Sequence, residues 1–226
     1  MGNCTRYRVK SAWPLGACAA GCPLGMDFHT IPDRRQDMEE RLKIKETIED
    51  TPVIMAVKDW EGIRRCTAQE SKVVFILFGD ICNIGEIVKT VKDAGKAAMV
   101  HMDLISGLGN KEISVDFIHQ TTDADGIIST KPAVIKRGKE LGMFTVLRFF
   151  VLDSLALENV LKQDAVNADM IEILPGIMPK ITKRVAQAVS VPVICGGLVS
   201  DKEDIIGALG AGAVAVSTTN PDAWVL

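Results

Sequence analysis

The sequence predicts a single-domain α/β protein folded as a (β/α)₈ barrel, a TIM barrel. From Thr51 onward, short runs rich in Val and Ile alternate with amphipathic helical stretches. Continuous apolar runs between helices are typical of buried parallel strands, and eight βα units favour a closed barrel over an open sheet. The chain has 226 residues, a normal length for one barrel. We therefore predict a barrel domain over residues 26–226 and an unstructured extension over residues 1–25.

The predicted strands are the apolar runs themselves: Val53–Val57, Val73–Phe78, Ala97–Met102, Gly126–Ile128, Phe144–Phe149, Met170–Leu174, Pro192–Ile194 and Ala213–Val216. Helix signals lie between them, such as the S-x-x-E capping box of Ser200 and Glu203. After the eighth strand and the segment Ser217 to Asn220, only Pro221 to Leu226 remain. The last barrel helix must therefore be stunted, or be supplied by a charged helix predicted over residues 33–50.

Composition limits the classes of function. The formal net charge is −3, which excludes a nucleic-acid-binding protein with a basic surface all round but does not exclude a local basic patch. The six cysteines have neither C-x-x-C nor zinc-ligand spacing, so we expect reduced thiols in a cytoplasmic protein. No apolar run approaches the roughly 18 residues of a transmembrane helix, so no membrane partner is expected.

The first residues resemble an export signal only in part. Arg6, Arg8 and Lys10 provide a basic region, and Leu15 to Cys18 resembles a lipoprotein cleavage box. The apolar stretch of about 7–15 residues that a signal needs between them is missing. We therefore expect an extension rather than a signal, with a true start at Met26 as an alternative.

The ends of strands 7 and 8 predict a phosphate site. Barrels that bind phosphate commonly use the loops after these two strands. Gly196 and Gly197 allow backbone N–H groups to approach an anion, and Ser217 and Thr218 add hydroxyl donors. The alternative is structural: the glycines make a tight turn, and the hydroxyls cap a helix.

Four ionisable side chains lie at the ends of strands 3, 5 and 6. His101 and Asp103 share one face, where they act as acid and base, as ligand contacts, or as a structural pair. Arg148 ends an apolar strand, so its charge must be paired or solvated. It either pairs with Glu172 on the adjacent strand or reaches the phosphate of a ligand.

Strand 4 is followed by Ser129 and Lys131, which we include among the candidate ligand contacts. Lys131 either neutralises the anion or is simply solvated. Too few carboxylates and histidines converge for a metal site, and no nucleophile or phosphate-loop motif is present. We therefore assign no catalytic residue and no metal.

Six ordered segments at strand ends resemble a known family, the glycerol-3-phosphate-responsive antiterminators of glycerol uptake operons (GlpP-type regulatory proteins). The resemblance extends over residues 50–224 and is carried by VHMDLISGL (100–108), DGIISTK (125–131), RFFVLDS (148–154), IEILPGIMP (171–179), GGL (196–198) and AVST (215–218). The end of strand 2, Leu77 to Cys82, departs from the family's pattern, and residues 1–25 have no counterpart in it.

The resemblance implies a regulator rather than an enzyme, with glycerol 3-phosphate as effector, no cofactor, and the leader mRNA of glycerol-utilisation operons as partner. Glycerol 3-phosphate would place its phosphate on Gly196, Gly197, Ser217 and Thr218. Its glycerol moiety would meet residues from the other strand ends: His101, Asp103, Ser129, Lys131, Arg148 and Glu172.

Three readings stay open at this point. The first is the RNA-binding regulator, whose best basic candidates lie on the helices after strands 4 and 6: Lys131, Lys136, Arg137, Lys139, Lys180, Lys183 and Arg184. Solvated helix faces explain such charges equally well. The second is a barrel enzyme, of phosphodiesterase or isomerase type, acting on a small phosphorylated metabolite. The third is a metabolite-binding protein that has lost RNA binding. Homo-oligomerisation is left open.

Overall fold

The computed structural model describes residues 34–162 and 168–225 and shows a closed barrel of eight parallel strands. Each strand pairs with its neighbour in sequence, and β8 returns to pair with β1. The strands are β1 Val53–Val57, β2 Val73–Ile76, β3 Ala97–His101, β4 Gly126–Ser129, β5 Phe144–Phe150, β6 Met170–Leu174, β7 Val193–Gly196 and β8 Ala215–Thr218. The predicted (β/α)₈ barrel is confirmed.

The helices of the described residues are α1 Arg34–Asp50, α2 Trp60–Cys66, α3 Ile84–Asp93, α4 Glu112–Thr121, α5 Pro132–Glu140, α6 Ser154–Leu161, α7 Pro179–Ala188 and α8 Lys202–Gly210. None of them is long and apolar enough to cross a membrane. The prediction for residues 1–25 lies outside the described residues.

The strands read as unbroken apolar runs because both of their faces are buried. In β1, Ile54 and Ala56 belong to the cluster that fills the barrel, whereas Met55 and Val57 belong to the cluster beneath the helices. Successive side chains of a strand point to opposite faces, so a strand with apolar material on both sides has no polar alternation.

The helix α1 closes the amino-terminal end of the barrel. Its Ile48 is fully buried and belongs to the same cluster as the side chains inside the barrel, with Ile44 packed against it. Arg41 forms an ion pair with Asp169, which precedes β6 and accepts hydrogen bonds from the backbone N–H and the hydroxyl of Thr145. This helix therefore covers an open end of the barrel and does not stand in for the eighth barrel helix.

The element after β8 is stunted, as predicted. It is a 3₁₀ turn at Pro221–Val225, anchored by the buried Trp224, whose indole N–H donates to the carbonyl oxygen of Thr218 at 2.8 Å.

One predicted cap was wrong. The N-cap of α8 is Asp201, which accepts from the N–H of Asp204, whereas the hydroxyl of Ser200 donates to the Asp204 carboxylate. The spacing of Ser200 and Glu203 matches a capping box, but the helix begins one residue later. The carboxylate of Asp201 therefore caps it, at the N–H of Asp204.

The last two strands run two residues farther than their apolar runs. Gly196 pairs with Ser217 in the ladder between β7 and β8, and β8 ends at Thr218. Three of the four residues assigned to the phosphate therefore belong to strands. Their backbone groups lie in or beside the ladder, so they are less free to turn toward a ligand than loop groups would be.

Because α1 closes the barrel, shortening one of its buried side chains should lower the stability of the protein strongly. We expect Ile48→Ala to lower the free energy of unfolding by about 2–5 kcal/mol, because it leaves a cavity against the barrel interior. The control is Ile206→Ala on α8, whose side chain is 59% exposed and whose loss should change stability by less than about 0.5 kcal/mol. Urea unfolding measures both, and equal small effects would contradict this role of α1.

Candidate functional site

A polar layer lies inside the barrel at the carboxyl ends of the strands. It contains His101 of β3, Arg148 of β5, Glu172 of β6 and Ser217 of β8, all buried. Each residue follows a member of the barrel's interior apolar cluster by two positions, so the pleat points it to the same side. The apolar interior is thus replaced by polar groups at the mouth of the barrel.

Glu172 is the centre of this layer. Its Oε2 accepts a hydrogen bond from Arg148 Nε at 2.6 Å, and its Oε1 accepts one from Ser217 Oγ at 2.5 Å. Arg148 and Glu172 are direct register partners on β5 and β6. Of the two roles expected for Arg148, pairing with Glu172 is therefore observed. Both carboxylate oxygens are satisfied, which a fully buried charge requires.

Gly196 lacks a side chain because this network occupies the space. A Cβ atom at Gly196 would collide with Glu172 Oε1 and lie 2.5 Å from Ser217 Oγ. The glycine is therefore a condition for the hydrogen bond between Ser217 and Glu172. Its prediction as a phosphate contact remains a prediction.

The loop after β7 has an unusual backbone. Gly197 has φ of +75° and Leu198 has φ of +62°, a left-handed conformation that a leucine rarely adopts. The carbonyl oxygen of Gly197 accepts a hydrogen bond from the N–H of Gly176 at 3.0 Å, which ties the loop to the one after β6. Such strain is typical of loops shaped for a ligand, because the surrounding structure has to hold it in place.

A cavity of about 100 Å³ opens between these loops. Its lining comes from the ends of five strands and the loops after β7 and β8: Ala56, Leu77, Arg148, Leu174, Gly197, Leu198, Val199, Ser217, Thr218 and Thr219. Arg148 is the one ionisable side chain among these lining residues. The cavity therefore presents a positive charge and no carboxylate of its own lining, which favours an anion.

Backbone donors are available at the same place. Within the described part of the chain, the N–H groups of Gly197, Leu198 and Thr219 donate to no hydrogen-bond acceptor. These three residues line the cavity. Free N–H groups around a concave surface are a common way for proteins to bind phosphate.

Thr218 has a structural role in addition to lining the cavity. Its hydroxyl donates to the carbonyl oxygen of Val199 at 2.8 Å and accepts from the N–H of Asn220 at 3.1 Å. These bonds link the loops after β7 and β8. The hydroxyl proton is therefore not free for a ligand in this arrangement.

His101 carries an unsatisfied nitrogen. It is 2% exposed, and its Nδ1 has no hydrogen-bond partner among the described residues. Burial, together with the positive charge of Arg148, lowers the pKa of His101 from 6.5 to about 4. The imidazole is therefore neutral near pH 7, with one nitrogen able to accept a hydrogen bond.

Asp103 is held by a different set of partners. It accepts from Ser129 Oγ at 2.7 Å, from the Thr130 N–H at 2.7 Å and from Thr130 Oγ1 at 2.8 Å. Burial raises the pKa of Asp103, but these hydrogen bonds outweigh it and hold the pKa below its usual value. A carboxylate so occupied is a poor general base.

The remaining predicted contact residues support Asp103 or face solvent. Ser129 Oγ also accepts from the N–H of Lys131 at 3.0 Å, which fixes the loop after β4, and the Lys131 side chain is exposed. Neither lines the cavity beside Arg148. Their assignment as ligand contacts is not tested by this arrangement and stays a prediction.

Sequence reasoning missed the apolar residues of the site. Leu174 and Leu198 line the cavity, as do Ala56 and Leu77. Nothing in their chemistry distinguishes them from core residues. The available signal was strand parity, since Leu174 lies two positions beyond Glu172 on the same side of β6.

Two larger grooves lie away from the mouth. One of about 570 Å³ has Asp50 and Glu70 in its lining, and one of about 610 Å³ lies between α1 and the loops at the amino-terminal end of the barrel. In the second groove, Lys92 is already paired with Asp125. We place the site at the smaller cavity because the buried polar layer and the free N–H groups converge there. Within the described residues, no group of three metal-ligating side chains is present.

The closed barrel and its polar mouth define a class: (β/α)₈ barrels with a buried polar layer at the mouth and a small cavity beside the loops after β7 and β8. Within this class the chain matches the model of one family over residues 53–224, described as glycerol-3-phosphate responsive antiterminator. The protein belongs to this family.

Relatives agree with this assignment. The chain is 45% identical over 180 residues to the protein YgcP of Escherichia coli (strain K12), covering 79% of this chain and 94% of YgcP.

Two solved structures are also similar. The glycerol uptake operon antiterminator regulatory protein of Listeria monocytogenes is 31% identical with a TM-score of 0.73, covering 76% of this chain and 94% of that one. A glycerol uptake operon antiterminator-related protein of Thermotoga maritima is 35% identical with a TM-score of 0.67, covering 77% and 98%. Enzymes such as the deoxyribose phosphate aldolase of Aeropyrum pernix, 14% identical with a TM-score of 0.60, share the fold alone.

The pKa of His101 predicts an acid-sensitive fold. Because this pKa falls from 6.5 to about 4 on folding, the unfolded chain binds more protons between these values. The free energy of unfolding should therefore decrease as pH falls, by about 2 kcal/mol from this group between pH 7 and pH 5. We expect His101→Gln to remove this part of the pH dependence in urea unfolding.

His119→Gln is the matched control, because His119 lies exposed on α4. If His101→Gln retained the full loss of stability between pH 7 and pH 5, the buried neutral imidazole would be the wrong cause.

Proposed function

We propose that the protein is a cytoplasmic, glycerol-3-phosphate-responsive antiterminator that binds the leader mRNA of glycerol-utilisation operons. Membership of the family supports the regulatory role. The observation that carries the ligand assignment is the cavity, in which Arg148 is the one charged lining residue and three backbone N–H groups are free among the described residues. No cofactor enters the proposal.

The phosphate fits best against Arg148 and the loop after β7. The Arg148 guanidinium has five N–H donors, of which Nε is used by Glu172. The others provide the charge-assisted hydrogen bonds that a phosphate prefers, and the N–H groups of Gly197 and Leu198 add neutral donors.

The glycerol hydroxyls fit acceptors in the polar layer. The Ser217 hydroxyl donates its one hydrogen bond to Glu172, so its oxygen can accept a hydrogen bond from a ligand but cannot donate a second one. We therefore assign Ser217 to a glycerol hydroxyl and not to the phosphate. The neutral His101 in the same layer has an unsatisfied nitrogen, although it does not line the cavity as the structure stands.

Neither His101 nor Asp103 favours the enzyme alternative. An isomerase or phosphodiesterase needs a general base, a general acid or a metal near the phosphate ester. His101 is neutral and buried, and Asp103 is held by three hydrogen bonds. The regulator is therefore the better supported function for this mouth.

Titration calorimetry tests the effector. We expect glycerol 3-phosphate to bind selectively, with much weaker binding of glycerol or inorganic phosphate alone. Arg148→Gln should weaken the binding of glycerol 3-phosphate by about 10- to 100-fold, because a hydrogen bond to a charged group contributes about 1.5–3 kcal/mol. Lys89→Gln, an equal charge loss on the exposed face of α3, should bind like the wild type.

Removing Arg148 alone leaves Glu172 buried without its cation, which destabilises proteins strongly. The double variant Arg148→Gln, Glu172→Gln avoids this problem and should lose affinity to a similar degree. Wild-type affinity in a folded double variant would place the phosphate elsewhere. Failure of the wild type to bind glycerol 3-phosphate would overturn the effector assignment and favour another phosphometabolite or an enzymatic role.

A further inference from the structure

The helix α7 has a distinctive charge. It carries Lys180, Lys183 and Arg184 and no acidic residue, whereas each of the other seven helices of the described residues contains at least one. These three side chains and Gln187 follow the spacing i, i+3, i+4, i+7, so they lie on one exposed face. We call Lys180, Lys183 and Arg184 the α7 stripe.

The α7 stripe is not used in ion pairs. None of its three residues lies within ion-pair distance of a carboxylate of the described residues. The basic residues of α5 differ, since Arg137 pairs with Asp116 and Glu140, and Lys139 pairs with Asp169. Of the two basic helices that the sequence indicates, α5 uses its charges to hold the fold and α7 leaves them free.

Helix stability does not account for these charges. Lys180 lies in the first turn of α7, and no basic residue lies in the last turn. Cations near a helix amino terminus oppose the helix dipole by about 0.3–1 kcal/mol, whereas cations near the carboxyl terminus are favourable. The placement of Lys180 is therefore unfavourable for the isolated helix, so the helix dipole does not explain it.

An exposed apolar surface lies beside the start of α7. It is formed by the last residue of β5 and by the loops after β5, β6 and β7, which are neighbouring strands in the barrel. Phe150 and Leu152 are 52% and 81% exposed, and Ile177 and Leu198 are 42% and 71% exposed. We call these four residues the apolar rim. Clustered exposed apolar side chains of this kind mark interaction sites.

The two surfaces are joined through the backbone. Phe150 is the register partner of Leu174, and the segment from Leu174 leads through Ile177 directly to Lys180. An aromatic ring, aliphatic side chains and a row of free cations therefore follow one another at one side of the barrel mouth.

We propose that the α7 stripe and the apolar rim together bind single-stranded RNA. The stripe would contact the phosphates, and Phe150 with the aliphatic rim would pack against unpaired bases. Single-strand binders combine a basic track with exposed aromatic side chains, whereas a duplex hides its bases and would leave the rim without a partner. This inference rests on the proposed function and assigns its RNA surface.

The position of the surface links it to the proposed effector. Leu174 and Leu198 line the cavity beside Arg148, and they are also the partner of Phe150 and a member of the apolar rim. A ligand in the cavity would touch the loops that form the RNA surface. RNA affinity should therefore differ between the effector-free and effector-bound protein, with a coupling factor of about 5–150.

Fluorescence anisotropy with a labelled single-stranded leader transcript, with and without saturating glycerol 3-phosphate, tests the surface. Lys180→Gln, Lys183→Gln, Arg184→Gln combined should weaken RNA binding at least about tenfold. The slope of log affinity against log salt should fall by about 2, because each phosphate contact contributes about 0.7 for single strands. Phe150→Ala should weaken binding by about tenfold, the loss of a stacked base.

The matched control combines Arg64→Gln, Arg65→Gln and Lys89→Gln, which removes the same charge from exposed positions on α2 and α3. It should bind RNA like the wild type, and all variants should retain glycerol 3-phosphate binding in calorimetry. An equal loss of RNA affinity in both triple variants would show that net charge alone causes the effect, and it would contradict RNA binding by the α7 stripe.

Two further outcomes separate the surface from the function. If the triple variant of α7 bound RNA as tightly as the wild type, this surface would be wrong, but the antiterminator function would still stand. Absence of any RNA binding by the wild type would overturn both. Equal affinity of the wild type for a duplex of the same sequence would contradict the assignment of the rim to unpaired bases.

Discussion

The buried ion pair between Arg148 and Glu172 determines the arrangement of the barrel mouth. A buried carboxylate is stable only when its charge is paired and its oxygens are hydrogen-bonded, and Glu172 meets both conditions through Arg148 and Ser217. These contacts tie β5, β6 and β8 together at their carboxyl ends. They also require Gly196, because a side chain there would displace Ser217 and the carboxylate.

The same pair sets the chemistry of the cavity. Glu172 orients the guanidinium through Nε, and Arg148 is the one ionisable side chain among the residues that line the cavity. Because the loops after β7 and β8 are joined through Thr218 and Val199, their free N–H groups are held near the cavity. A cation held in place by its ion pair, with backbone N–H groups beside it, suits the binding of an anion.

The barrel could be predicted from the sequence because its strands are buried on both faces and therefore read as unbroken apolar runs. The pairing of Arg148 with Glu172 was one of two expected roles, since adjacent parallel strands place such residues side by side. The extension of β7 and β8 through Gly196 and Ser217 depends on register, which apolarity does not encode. Ile48 on α1 has no local signal of its partner, because the contact that buries it is distant in sequence. The cavity lining by Leu174 and Leu198 was not predicted because their side chains do not differ chemically from those of core residues.

The crystal structure of the complex with glycerol 3-phosphate is the most direct test of this site. The account predicts phosphate oxygens at about 2.7–2.9 Å from the Arg148 guanidinium and near the N–H groups of Gly197 and Leu198. A glycerol hydroxyl should lie against Ser217, with the bond between Arg148 and Glu172 retained. Phosphate in the groove beside α1, or at the mouth with Arg148 turned away, would contradict it.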